Sequence, residues 1–139
     1  MDENRVLRII DKIDKYLDEL NSIIPKTYDE YEISISYKRA CERLLQISLE
    51  SVLDICNLLI SSLKLGLPSD EEDGFKKLAA KKIISEKMRL KLIEMKKMRN
   101  VLVHRYGEIK DAEVYDSLTE NLEDFETFKE EILKFLKRK

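Results

Sequence analysis

The 139-residue chain contains no tryptophan, only three glycines and only two prolines, and each scarcity removes a class of fold. Ordinary chains carry roughly 7% Gly and 5% Pro, so a sandwich or barrel of many short strands would lack the turn residues it needs. An all-α bundle remains, and the length is that of one domain spanning residues 1–139. Histidine occurs once, and the two cysteines form no Cys-x-x-Cys pair. Zinc is therefore excluded, and the absence of any Glu-x-x-His pair argues against a di-iron bundle. No apolar run exceeds three residues, Leu58-Leu59-Ile60 being one, where a membrane span needs roughly 18. The opening MDENRVLRIID is too charged for a secretion signal. A cytoplasmic protein with no membrane contact, metal or other cofactor is the expectation.

Cys41 and Cys56 fall in the series Cys41, Leu45, Ser48, Val52, Cys56, Leu59, Leu63, which has helical spacing. Fifteen residues along one helix separate them by roughly 22 Å, beyond the ~7 Å between Cα atoms that a disulfide allows. They are expected to be small buried hydrophobes.

Four long helices and one short one can be read along the chain. Val6, Ile9, Ile10, Ile13, Leu17, Leu20 and Ile24 mark a first helix over about 3–23, stopped by Pro25. Thr27 can cap a second, over about 28–65, with a bend near Ser34 to Ser36. Residues 66–74, GLPSDEEDG, hold two glycines, a proline and four acids and read as the main loop. A short helix over about 75–83 follows. A helix from Ser85 to the C-capping Gly107 and a last one over about 111–137 complete the set.

Charge is unevenly spread. The whole chain is at −2, yet residues 76–105 carry eleven basic and two acidic side chains, a net of +9. Such a run is either a solvated helical face or a phosphate-attracting patch. Within it, Met98-Arg99-Asn100-Val101-Leu102-Val103-His104-Arg105-Tyr106-Gly107 gathers the only histidine, two arginines, an asparagine and a tyrosine at a helix end. Asn100 and His104 share a face, whereas Arg99 and His104 lie about 140° apart on a regular helix. They meet on one phosphate only if the helix unwinds before Gly107 or a second chain supplies the complementary pair, which favours a site between two subunits. The run Val101-Leu102-Val103 would be wasted on a monomer's surface, so a homodimer is expected.

This set suits cleavage of RNA without a metal. Histidine, with an ordinary pKa near 6.5, moves protons at neutral pH, and arginine offers a planar fork of donors to a charged phosphorane. His104 would take a proton from the attacking 2′-OH or give one to the departing 5′ oxygen. Asn100 would orient the imidazole or hold a phosphate oxygen. Arg99 and His104 are expected to face a site and not the core. Lys96, Lys97 and Arg105 flank the motif as candidate RNA contacts. From spacing alone, a histidine satisfied at a helix end and an arginine in an ordinary ion pair explain the same residues.

The segment Arg99-Asn100-Val101-Leu102-Val103-His104-Arg105-Tyr106 resembles the R-x-x-x-x-H-x-Y signature of HepT, the toxin branch of the HEPN (higher eukaryotes and prokaryotes nucleotide-binding) superfamily. Glu42-Arg43-Leu44-Leu45-Gln46, Glu50 to Ile55, Phe75 to Ile84, Val114-Tyr115 and Leu122 to Phe125 follow in that family's order. Met98 stands where Phe is frequent and Lys110 where Asp is frequent. The resemblance implies a HEPN-type up-and-down bundle, a homodimer with the motif at its interface, and metal-independent endoribonuclease activity. It also implies the toxin role in a type VII toxin–antitoxin system, with an MNT-type (minimal nucleotidyltransferase) antitoxin as partner. Arg99 and His104 match the family's catalytic pair, Asn100 the polar residue that follows the arginine, and Tyr106 the tyrosine adenylylated in related pairs. A catalytically silent HEPN module that binds a nucleotide or supports a nucleotidyltransferase is the alternative. A generic helical interaction module would explain the bundle but not the motif.

Overall fold

A computed structural model describes residues 2–104 and 110–138. Among them lie seven helices: α1 (Glu3–Ile23), α2 (Tyr28–Ile33), α3 (Ile35–Ser62), α4 (Glu71–Ala80), α5 (Glu86–His104), α6 (Asp111–Glu120) and α7 (Glu123–Lys137). The all-α class stands, but the count of four long helices and one short one does not, for two local reasons, and a third difference moves the start of the short helix.

The expected bend near Ser34 is a full break. Ser34 is extended (φ −107°, ψ 106°), and its hydroxyl accepts from the Tyr37 amide, capping a new helix. The predicted last helix likewise parts at Asn121-Leu122, so that α6 and α7 are separate. The acids taken as loop are helix: Asp70 caps α4, its side chain accepting from the Asp73 amide at 2.7 Å. Glu71, Glu72 and Asp73 fill the first turn, where the helix dipole favours negative charge. Gly74 therefore lies inside α4, and any Cβ there would come within 2.9 Å of Ile60 Cδ1.

Helix α3 is the hub, packed against α1, α2, α4, α5 and α6. Cys41, Leu45, Ser48, Val52, Cys56 and Leu59 form its buried stripe, both cysteines being free thiols. Ser48 is satisfied by donating to the Leu44 carbonyl at 2.7 Å. Among the described helices α3 alone has the length and mean hydropathy (1.5) to cross a membrane, but half of that apolar window is buried in the bundle, as a core helix requires. Helix α7 seals the other side of α5 with Phe125, Phe128 and Ile132 and is tied to α1 by Lys129 Nζ to Asp14 Oδ1 at 3.0 Å.

Where α2, α3 and α6 meet, Tyr28, Tyr31 and Tyr115 cluster, with ring centroids 5.2 to 6.5 Å apart. Lys38 Nζ lies 3.2 Å from Asp111 Oδ2 and fastens the start of α6 to α3. Beside this cluster the fully buried Glu42 accepts from Arg39 Nη1 at 3.0 and 3.2 Å.

Candidate active site

Helix α5 buries Met88, Leu92, Met95 and Leu102. Arg99 continues that stripe, four residues after Met95 and three before Leu102. Its side chain is only 19% exposed. Arg99 is half-buried and not part of the core, lying in a groove beside α4 where a carboxylate meets it. Glu71, the first residue of α4, supplies it, its Oε1 accepting from Arg99 Nη2 at 2.5 Å. Arg99 Nε donates to Asn100 Oδ1 at 2.8 Å, so the Asn100 oxygen helps hold the guanidinium. One turn earlier, Lys96 Nζ pairs with Glu72 Oε2 at 2.6 Å. That contact, with the Glu72 charge, raises the Lys96 ammonium above the ordinary lysine range.

His104 is exposed in the last described turn of α5. The helix stays regular to that point, so Arg99 and His104 diverge as the spacing predicts, and the described residues of one copy do not bring them onto a shared face. Lys97 is exposed and 3.6 Å from Glu94. Leu102 is buried while Val101 and Val103 are 40% and 41% exposed, so only two members of the apolar run are open to a partner. Tyr106 and Arg105 lie outside the described residues.

The acidic turn of α4 is the part of the site that sequence reading missed, because those residues were assigned to a loop. The available signal was the match of four acids, Asp70 to Asp73, to a helix with cations at Lys96 and Arg99, three residues apart. A cleft of about 220 Å³ on the other flank of α5 is lined by Met95, Met98, Val101 and Lys97, and it takes in neither Arg99 nor His104. Among the described residues no group of three His, Cys, Asp or Glu side chains is placed to hold a metal ion.

The family model for HepT-like ribonucleases matches residues 13–132. The chain belongs to the HepT-like family. It is 26% identical over 127 residues to a tRNA nuclease HepT of Aphanizomenon flos-aquae, covering 91% of this chain and 86% of that one. It is 34% identical over 84 residues to an mRNA nuclease HepT of Shewanella oneidensis, covering 60% of this chain and 63% of that one. Its fold superposes with a TM-score of 0.85 on a tri-AMPylated Shewanella oneidensis HEPN toxin solved in complex with an MNT antitoxin, at 25% identity over 93% of this chain and 96% of that one. The HepT-like bundle is thus a HEPN bundle, with Arg99, Asn100 and His104 at the end of its fifth helix.

Proposed function

We propose that the chain is the toxin of a type VII HEPN/MNT toxin–antitoxin system, an endoribonuclease that cuts RNA without a metal at a site shared by two copies. The observation that carries this reading is a held cation and a solvent-facing base on different faces of one helix end: Arg99 is fixed by Glu71 and Asn100, and His104 is exposed five residues further on. A neutral His104 removes the proton of a ribose 2′-OH, whose oxygen attacks the adjacent phosphorus. The bond to the 5′ oxygen breaks, and His104 of the second copy, protonated, returns a proton to it. The products are a 2′,3′-cyclic phosphate and a 5′-OH. Arg99 carries the developing negative charge on the phosphorane oxygens through the donors that Glu71 leaves free. Because the two groups diverge by about 140° on one α5, a homodimer joined near Val101 and Val103 brings Arg99 of one copy toward His104 of the other.

Relatives bearing the names tRNA nuclease and mRNA nuclease support RNA as the substrate class. The AMPylated toxin solved with an MNT antitoxin supports a nucleotidyltransferase partner. Tyr106, matched to the family's modified tyrosine, is the residue we assign to adenylylation. An added AMP phosphate within reach of Arg99 would occupy it as RNA does. Lys97, Arg105 and Lys96 are the assigned RNA contacts, Lys96 after it leaves Glu72.

Purified protein is expected to cut single-stranded RNA in EDTA and leave a 2′,3′-cyclic end, with His104→Ala inactive. Activity that needs a divalent ion overturns the mechanism. A monomeric mass by light scattering at micromolar concentration overturns the shared site. The Arg99–Glu71 ion pair favours the alternative of a silent HEPN module in which the arginine is structural. That reading stands if the wild type cuts nothing. Co-expression with the antitoxin and peptide mapping test Tyr106, and silencing with that tyrosine unmodified removes it as the switch.

A further inference from the structure

The eleven cations of residues 76–105 do not act as one patch. Six are matched by carboxylates: Lys77 by Asp73, Arg89 by Glu86, Lys91 by Asp124, Lys96 by Glu72, Lys97 by Glu94 and Arg99 by Glu71. Of the exposed cations that meet no carboxylate within 4.0 Å among the described residues, one group lies at the turn between α4 and α5 and along the end of α7, while others, Arg8, Lys12, Lys76 and Lys87 among them, are spread over α1, α4 and α5. Lys82, Lys134 and Arg138 line one groove there of about 420 Å³. Arg138 Nη2 donates to the Lys82 carbonyl at 2.7 Å, which locks the end of α7 onto the turn. Lys81 and Lys137, each exposed, extend the same surface by one residue on either element, and Lys137 lies one turn from Lys134.

The acids of this groove are already engaged. Glu131 accepts from the Ser85 amide at 2.6 Å and from its hydroxyl at 2.9 Å, and Glu86 is held by Arg89 at 2.5 to 2.9 Å. Lys82 sits in the left-handed region at φ +58°, where glycine is the unstrained choice. The sequence keeps a cation there at a backbone cost.

The groove is aligned with the candidate active site. Glu86, in its wall, and His104 are eighteen residues apart on one helix, five whole turns at about 100° per residue, so both project from the same side of α5. The separation is roughly 27 Å, which an extended single strand, its phosphates set wider apart than the stacked rise of a duplex, crosses in a few nucleotides. The dimer proposed above joins the motif ends of α5, which leaves this opposite end open on each copy.

We infer that Lys81, Lys82, Lys134, Lys137 and Arg138 form a second RNA-backbone site, which holds a strand a few nucleotides from the bond cut at His104. The site recognises phosphates without reading bases, and its ligand is an RNA long enough to span both ends of α5. The inference rests on the ribonuclease reading for its purpose, but its binding can be measured separately.

The test is the triple variant Lys81→Glu, Lys134→Glu and Lys137→Glu, all exposed positions, with Lys→Gln versions should the reversal perturb melting. For cleavage of a twenty-nucleotide oligouridylate, KM is expected to rise on the order of tenfold with kcat unchanged. The slope of log KM against log salt falls by about 2, at about 0.7 per cation on a single strand. For the dinucleotide UpU, too short to span, KM stays at the wild-type value. Equal KM values on the long RNA overturn the second site, as does an equal loss on both lengths. Should the wild type cut neither RNA, the ribonuclease reading fails, and fluorescence anisotropy with the labelled twenty-mer then decides the second site. Wild type binding no tighter than the variant overturns it, and so does a variant that loses only its binding to anionic phosphatidylserine vesicles.

Discussion

Arg99 of α5 and Glu71, the first residue of α4, are joined across 28 positions of sequence by a 2.5 Å contact from Nη2 to Oε1. The guanidinium is half-buried on the edge of the buried stripe of α5 and is the cation of the candidate active site. With side chains 19% and 35% exposed, the pair falls between the surface and buried classes of ion pair. Arg99→Ala is therefore expected to cost about 1–2 kcal/mol of stability in denaturant titration, besides abolishing cleavage. Arg99→Lys keeps most of the stability but loses cleavage, because an ammonium lacks the planar fork. Glu71→Gln, which can still accept from Arg99, costs less than Arg99→Ala. An Arg99→Ala protein as stable as the wild type would show that Glu71 contributes nothing to the fold.

Two neighbouring tyrosines are expected to respond to the same substitution with opposite signs. Tyr115 Oη donates to the Pro25 carbonyl at 2.8 Å in a buried setting, so Tyr115→Phe leaves that carbonyl unpaired and costs about 1–2 kcal/mol. Tyr31, its ring 5.2 Å away, has a buried hydroxyl with no hydrogen-bond partner among the described residues. Burial, reinforced by the Glu42 charge, pushes its phenol far above the ordinary tyrosine range. Tyr31→Phe removes a desolvated group for nothing lost and is expected to be neutral or stabilising. Melting of the two variants decides it, and destabilisation by Tyr31→Phe would refute the account.

The buried stripe of α3 was legible because its period is long and regular; even Ser48 was placed correctly by spacing alone. Ile35, which falls inside the helix expected over about 28–65, is 69% exposed. Ile35 starts a new helix after Ser34, whose cap resets the phase, and one hydroxyl hydrogen bond is too local a cause for periodicity to register. At the candidate site, the diverging faces of Arg99 and His104 followed from residue geometry. The partner of Arg99 did not, because Glu71 comes from a stretch where proline, glycine and acid together read as loop while Asp70 in fact caps a helix.

The cysteines give a reactivity test. Burial, with the neighbouring Glu42 charge, pushes the Cys41 thiol up to about 11, and complete burial carries Cys56 higher still. The thiolate is the reactive form, so native protein at pH 8 is expected to take up no iodoacetamide while unfolded protein takes up two equivalents by intact mass. The raised thiols also set a linkage: each pKa exceeds its unfolded value near 8.5, so their stabilising contribution is full below pH 8 and is lost as pH rises through the folded values. Rapid native alkylation at either cysteine would contradict the burial.

Helices α3 and α4 end in the same way, and both endings carry a lysine where glycine is usual. In α3, Leu65 N–H bonds the Ile60 carbonyl and Lys64 N–H the Ser61 carbonyl, at 3.1 and 3.2 Å. In α4, Ile83 bonds Leu78 and Lys82 bonds Ala79, both at 3.0 Å. Each is a Schellman closure with its C′ residue left-handed, at φ +53° for Lys64 and +58° for Lys82. A Cβ in that region costs about 1–2 kcal/mol, and glycine gives back part of the gain through its freer unfolded chain. Lys64→Gly and Lys82→Gly are each expected to stabilise by about 0.5–1 kcal/mol in denaturant titration. Their effects on RNA should differ: Lys64 is outside the groove formed with Lys134 and Arg138, so Lys64→Gly leaves the KM for the twenty-nucleotide RNA unchanged, whereas Lys82→Gly raises it. Stabilisation at both positions with KM affected at neither would assign both lysines to the surface and detach the strain at Lys82 from RNA binding.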